Sequence, residues 1–155
     1  MDSFRKIDVD KYDEDVLLEE ELIDVDTRSP TELKQIAQQR TVEVRSLIGK
    51  GDPRGALAVI LNDPPYGDAN ANLEAKNATL SALLEIFNVT KSSDVAQIVK
   101  SLNVEEQDVL MKYLYKGLAS PELGASAVLL GWHEKLTEAA GTGCIVRVLT
   151  DRRRV

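Results

Sequence analysis

The stretch LMKYLYKGLASPELGASAVLLGWHEKL, residues 110–136, carries the spacing on which the fold turns. On a helix starting near Val104, Leu110, Tyr113, Leu114 and Gly117 fall on one face, while Met111, Tyr115 and Leu118 fall on another. Such a helix is covered on two sides. After the break at Ser120-Pro121, Ala125, Leu129, Trp132 and Leu136 form a second stripe at three- and four-residue intervals, with Val128 at its margin. Trp132, the only tryptophan, reads most simply as an anchor of the core between these helices.

The same period runs outward in both directions. Leu33, Ile36, Ala37, Val44, Leu47 and Ile48 keep it, as do Leu73, Leu80, Leu83, Leu84 and Phe87. Start signals match these runs. Ser29-Pro30-Thr31-Glu32 places an N-cap serine before a proline at the first helical position, with a glutamate three residues on to close a capping box. Asp52-Pro53 and Ser120-Pro121-Glu122 repeat the cap-then-proline device, and Ser93-Asp94 and Asn103 to Glu106 offer further caps. Gly49 and Gly51, the Asn62 to Gly67 segment with its two prolines, and Gly141 with Gly143 supply the stops. The segment CIVRVLT, residues 144–150, is β-branched, but no second strand exists for it to pair with, so it is assigned to a short final helix. The expected fold is all-α: about seven short helices in an antiparallel bundle or helical stack, residues 29–155, preceded by an extended acidic N-terminal tail, residues 1–28.

Charge marks that boundary. Residues 1–26 hold eleven acids against Arg5, Lys6 and Lys11, a net of −8, whereas the remainder is close to neutral at +1. A neutral body with an acidic tail argues against nucleic acid, whose phosphates need a clustered basic face. Arg152 to Arg154 form the one basic run and are read as solvated. With a single cysteine, Cys144, no intramolecular bridge can form, which fits a reducing compartment and a cytoplasmic location. No apolar run approaches the roughly 20 residues of a membrane span, so no membrane contact is expected. The sequons at Asn77 and Asn88 have no role outside a secretory protein.

The residues for chemistry are missing. His133, the only histidine, is followed at the fourth position by Thr137, not by the second histidine of a zinc-protease helix, and one His with one Cys builds no conventional zinc cage. Gly141-Thr142-Gly143 lacks the third glycine and the preceding strand of a dinucleotide loop. No metal, no cofactor and no catalysis are expected.

The acidic segment is more than a solvating tract, because Phe4, Ile7, Val9 and Tyr12 are interspersed among its charges. FRKIDVDKYDED, residues 4–15, reads as a docking peptide that adds a strand or inserts side chains on a partner. LLEEELIDV, residues 17–25, reads as a second anchor or a fragile helix. The competing reading has the tail folding back on its own body.

FRKIDVDKYDED, LMKYLYKG at 110–117, WHEK at 132–135 and IVRVLT at 145–150 together resemble the smallest subunit of the actin-related protein 2/3 complex, the subunit 5 or p16 family. The resemblance covers tail and body in the family's order. It implies a non-catalytic subunit of the hetero-oligomer that nucleates branched actin filaments. Its helical body would pack on the β-propeller and scaffold subunits, and its tail would reach actin-related protein 2. The tail contacts would fall to Phe4, Arg5, Lys6, Ile7, Val9 and Tyr12. Candidates for the body's packing surface are Lys112, Tyr115, Lys116, His133, Glu134, Lys135 and Arg147. The chain departs from the family between Val16 and Asp26, which is more apolar than the glycine-rich acidic spacer expected there. The alternative function is a free-standing helical adaptor that binds peptides, with the acidic tail as autoinhibitor.

Overall fold

The computed structural model describes residues 26–67 and 71–155, and among them every regular element is helical. Seven α-helices follow in order: α1 Pro30–Gly49, α2 Pro53–Leu61, α3 Leu73–Val89, α4 Ser92–Lys100, α5 Val104–Leu118, α6 Ser126–Ala140 and α7 Thr142–Thr150. The all-α expectation and the helix number hold. Of the expected tail, residues 1–28, only Asp26 to Arg28 are described, and residues 1–25 lie outside the described residues.

Two helices begin on complete capping boxes. Ser29 accepts from the Glu32 amide while the Glu32 carboxylate takes the Ser29 amide, and Asn103 and Glu106 do the same for α5. Each box satisfies two amides that have no partner within the helix. The Asp52 carboxylate accepts the Gly55 amide at 2.8 Å to start α2. Two expected starts differ. The Ser120-Pro121 signal produces only a one-turn 3₁₀ helix, Pro121–Leu123, because Gly124 turns left-handed at φ 64° and ends it; α6 then starts at Ser126 with no side-chain cap. The fourth helix starts at Ser92 on Lys91, and the Ser93 hydroxyl bonds Asp94 instead of capping a backbone amide. Gly141, at φ 72° and ψ 176°, is both the end of α6 and the start of α7. That backbone region is essentially closed to residues with a Cβ.

Helix α1 packs along α2 and α3, α6 lies against α5 and α4, and α7 covers α5 and the edge of α6. The main core joins these layers through Leu57, Ile60, Leu83, Ile86, Phe87, Leu110, Met111, Tyr113, Leu114, Leu129, Trp132 and Leu136. Helix α5 is covered on two sides, as its sequence implies: Leu110, Met111, Tyr113, Leu114 and Gly117 are all buried. Trp132 is 2% exposed and stacks on Phe87 of α3 with ring centroids 4.5 Å apart. A smaller apolar cluster, Leu33, Ala37 and Ala75, closes the contact between α1 and α3.

Candidate functional site

Two polar structures organise the surface: a clamp where the chain enters the body, and a basic groove beside it. The clamp begins at Asp26, whose carboxylate accepts the Arg28 amide at 3.0 Å, its Nε at 2.9 Å and its Nη2 at 2.7 Å. Arg28 Nη1 continues to the Asp63 carboxylate, and Arg40 of α1 donates to the Asp63 carbonyl at 2.6 Å and to its carboxylate at 3.3 Å. Asp63 sits at φ 52°, a left-handed conformation that Asp tolerates better than most residues. The Arg28 guanidinium, helped by the amides of Arg28 and Tyr66, holds the Asp26 carboxyl below its usual range against the opposing effect of burial.

The groove, about 450 Å³, lies between α3, α5, α7 and the segment after α7. Among the described residues its lining includes Lys76, Lys112, Lys116, Arg153 and Arg154 and one acid, Asp151. Apolar surface is interleaved with the charge: Tyr115 and Val148 are half-buried, while Leu73 and Leu149 are 51% and 71% exposed. The segment 151–155 is held down by the lysines. Lys76 donates to the Gly67 carbonyl and to the Arg154 carbonyl, both at 2.9 Å, and Lys116 donates to the Val155 carbonyl at 3.1 Å. Lys112 lies 2.7 Å from the Asp151 carboxylate and 4.9 Å from the centre of the Tyr66 ring, which Arg153 also approaches, at 5.3 Å. Burial acts to raise the Asp151 carboxyl, but the Lys112 ammonium and the Arg153 amide and charge outweigh it, so the net shift is downward. Desolvation, with the neighbouring charge of Lys76, lowers the Lys116 ammonium to about 8.

The body candidates separate into three places. Lys112, Tyr115 and Lys116 meet in the groove, with the Lys112 side chain only 7% exposed and committed to Asp151. His133 joins them through Tyr115, with its Nε2 3.3 Å from the phenol oxygen and its ring edge-on at 5.5 Å. Glu134 and Lys135 stand on the outer face of α6, where Lys135 pairs with Glu138 at 3.1 Å. Arg147 is apart from both, paired through two nitrogens with Asp108 at 2.7 Å each. Phe4, Arg5, Lys6, Ile7, Val9 and Tyr12 lie outside the described residues. Lys76 and Asp151 were not singled out from sequence, and Arg153 was read only as part of a solvated basic run. One signal was available: Lys76 shares the stripe of Leu80, Leu83 and Phe87, and a lysine on an apolar stripe needs a buried partner.

Nothing in this arrangement resembles a reaction centre. Cys144 is buried and pushed up to about 12 by desolvation and by Asp108, so its thiol is a poor nucleophile. Among the described residues no cluster of three or more His, Cys, Asp or Glu side chains could hold a metal, and no helix is long and apolar enough to cross a membrane. The groove and the outer face of α6 offer surfaces for protein contact.

Comparison with known proteins agrees with that reading. Residues 3–155 match the family described as the ARP2/3 complex 16 kDa subunit, p16-Arc. Over 152 residues the chain is 41% identical to actin-related protein 2/3 complex subunit 5-C of Xenopus laevis, covering 98% of this chain and 94% of that one. It is 34% identical over 156 residues to subunit 5 of Saccharomyces cerevisiae, covering 98% and 97%, and 35% identical over 155 residues to the subunit 5-like protein of Homo sapiens, covering 98% and 94%.

Proposed function

The chain belongs to the p16-Arc family, the 16 kDa subunit of the ARP2/3 complex, and from that premise we propose that its helical body packs on the β-propeller and scaffold subunits while residues 4–12 tether actin-related protein 2. Membership makes it a structural, non-catalytic subunit of a hetero-oligomer that nucleates actin, at work with the actin cytoskeleton in the cytoplasm. The observation that carries the tether is the extent of the family match. It begins at residue 3, so it takes in the acidic segment as well as the helices.

Physical chemistry supports a division of labour. Phe4, Ile7, Val9 and Tyr12 supply apolar burial, Arg5 and Lys6 supply charge, and the acids around them guide approach. The clamp at Asp26, Arg28 and Asp63 then secures the root of the segment to the body. A peptide held this way meets its site at up to about millimolar local concentration, which strengthens a weak contact without adding a new one. On the body, His133 with the outer α6 residues Glu134 and Lys135 forms the packing surface, with Tyr115 supporting His133 and Lys116 beside it in the groove. Lys112 and Arg147 shape it from their internal ion pairs with Asp151 and Asp108.

The test is pyrene-actin polymerisation with complex reconstituted from three chains: full length, a chain lacking residues 1–25, and Phe4→Ser/Ile7→Ser/Tyr12→Ser. Truncation at residue 25 spares the clamp. All three are expected to incorporate in full stoichiometry, with nucleation several-fold lower for the two altered chains. Equal nucleation by all three would refute the tether, and failure of the truncated chain to incorporate would assign the segment to assembly.

A further inference from the structure

The basic groove lies next to the point where the N-terminal segment joins the body. The Asp26 carboxylate takes the Tyr66 amide, and a Cβ placed on Gly67 would stand 3.1 Å from the Asp26 backbone nitrogen. Gly67 accepts from Lys76, and the Tyr66 ring is flanked by Lys112 and Arg153. Lys76, Lys112 and Arg153 all line the groove. A chain running back from Asp26 therefore starts near the groove's rim, and two or three extended residues, at about 3.3 Å each, span roughly 7–10 Å.

The chemistry of that approaching chain is the inverse of the groove's. Residues 14–25, EDVLLEEELIDV, carry six acids, no base and six apolar side chains. Among the described residues its lining carries Lys116 and Arg154 besides the cations already engaged, with Asp151 as the acid, and Leu73 and Leu149 are exposed. Its volume falls within the range of roughly 300–1,000 Å³ typical of ligand sites. Lys116, half-exposed, has no carboxylate side chain paired with it among the described residues; its ammonium meets only the Val155 carbonyl there. On a helix Leu18 and Leu22 would share a face flanked by Glu19 and Glu21, with Ile23 next beyond Glu19, and Glu20 at the back.

We propose that residues 17–23 of the chain's own N-terminal segment dock in this groove, with Leu18, Leu22 and Ile23 covering Leu73 and Leu149 and the glutamates facing Lys116, Arg153 and Arg154. The contact is made in cis, because the few residues back to Asp26 give the segment a local concentration that a separate molecule reaches only near the millimolar range. It leaves residues 4–12 available to a partner and does not depend on which partner they meet. It also gives a use to the apolar character of residues 16–26.

Zero-length carbodiimide cross-linking of the isolated full-length chain, mapped by tandem mass spectrometry, tests this. Lys116 is expected to join Glu19, Glu20 or Glu21 within the monomer, at a yield that does not change over a hundredfold dilution. The variant Leu18→Ser/Leu22→Ser/Ile23→Ser should lose that link at least tenfold while keeping the wild-type circular dichroism, with a melting temperature lowered only by the loss of the docking contact. A link found only in a dimer band, or fading on dilution, would give the groove to a second copy and overturn the proposal. So would an undiminished link in the triple variant, or no cis link from Lys116 in the free chain.

Discussion

Replacing Asp151 by Asn should destabilise the chain more than replacing Lys112 by Met, although each change removes the same ion pair. The Lys112 side chain is 7% exposed and that of Asp151 27%, with 2.7 Å between nitrogen and oxygen. Removing one partner of a fully buried pair costs about 3–5 kcal/mol, because the other charge stays behind unpaired. Here water reaches Asp151, and Lys112 keeps the Tyr66 ring at 4.9 Å, a contact worth roughly 0.5–2 kcal/mol. Asp151→Asn should therefore cost about 2 kcal/mol. Lys112→Met leaves no buried cation, fills a similar volume, and lets Asp151 keep the Arg153 amide at 3.0 Å and its guanidinium at 3.6 Å; the cost should be about 1 kcal/mol or less. Against the opposing effect of burial, Lys112 and Arg153 hold the Asp151 carboxyl below its ordinary value in the folded chain. Between the folded and unfolded values the unfolded chain binds more protons, so stability rises with pH there. The Asp151 contribution is thus complete above the unfolded value and is lost as pH falls through the folded one, and the gap between wild type and Asp151→Asn should narrow on acidification. Urea unfolding of the full-length chain, followed by circular dichroism at pH 7 and pH 3, measures both effects. A Lys112→Met cost equal to that of Asp151→Asn, or a gap unchanged at pH 3, would refute the reasoning.

Trp132→Ala should cost about 3–5 kcal/mol, the range for removing a buried aromatic, since the ring is 2% exposed and stacked on Phe87; an unchanged melting temperature would exclude Trp132 from the core. The two glycines around the start of α7 should respond oppositely to alanine. Gly141→Ala forces a Cβ into a backbone region costing about 1–3 kcal/mol, whereas Gly143→Ala, inside the helix with only the Arg147 guanidinium nearby at 3.4 Å, should stabilise by up to about 1 kcal/mol. Thermal melts of the two variants decide this, and a Gly141→Ala chain as stable as wild type would contradict the geometry.

What could be read from the sequence was local. Capping boxes at Ser29 and Asn103 signal helix starts within four residues, so they were legible and the structure repeats them. The stripes of Leu110, Tyr113 and Leu114 and of Leu129, Trp132 and Leu136 named the core correctly, because burial on a helix follows its 3.6-residue period. Where two local signals competed the reading failed: Ser120-Pro121 opens a helix, but Gly124 closes it within one turn. The groove was not legible, because its parts come from positions as far apart as Lys76 and Arg154, joined by a bond across 78 residues. Lys112 reads as a surface cation until Asp151 is known to face it, and the run Arg152 to Arg154 reads as solvated until Lys76 is seen to hold the backbone beneath it.

On the proposed tether, the clamp at Asp26 would make the N-terminal segment a leash of definite length. Phe4 lies 22 residues before Asp26, so a fully extended chain at about 3.4 Å per residue carries it no farther than roughly 75 Å from the clamp. With residues 17–23 seated in the groove, the leash is effectively pegged at Leu17. Phe4 then reaches only about 45 Å from that peg. Seating or lifting one short segment would thus select which neighbours lie within the circle that the anchors can sweep.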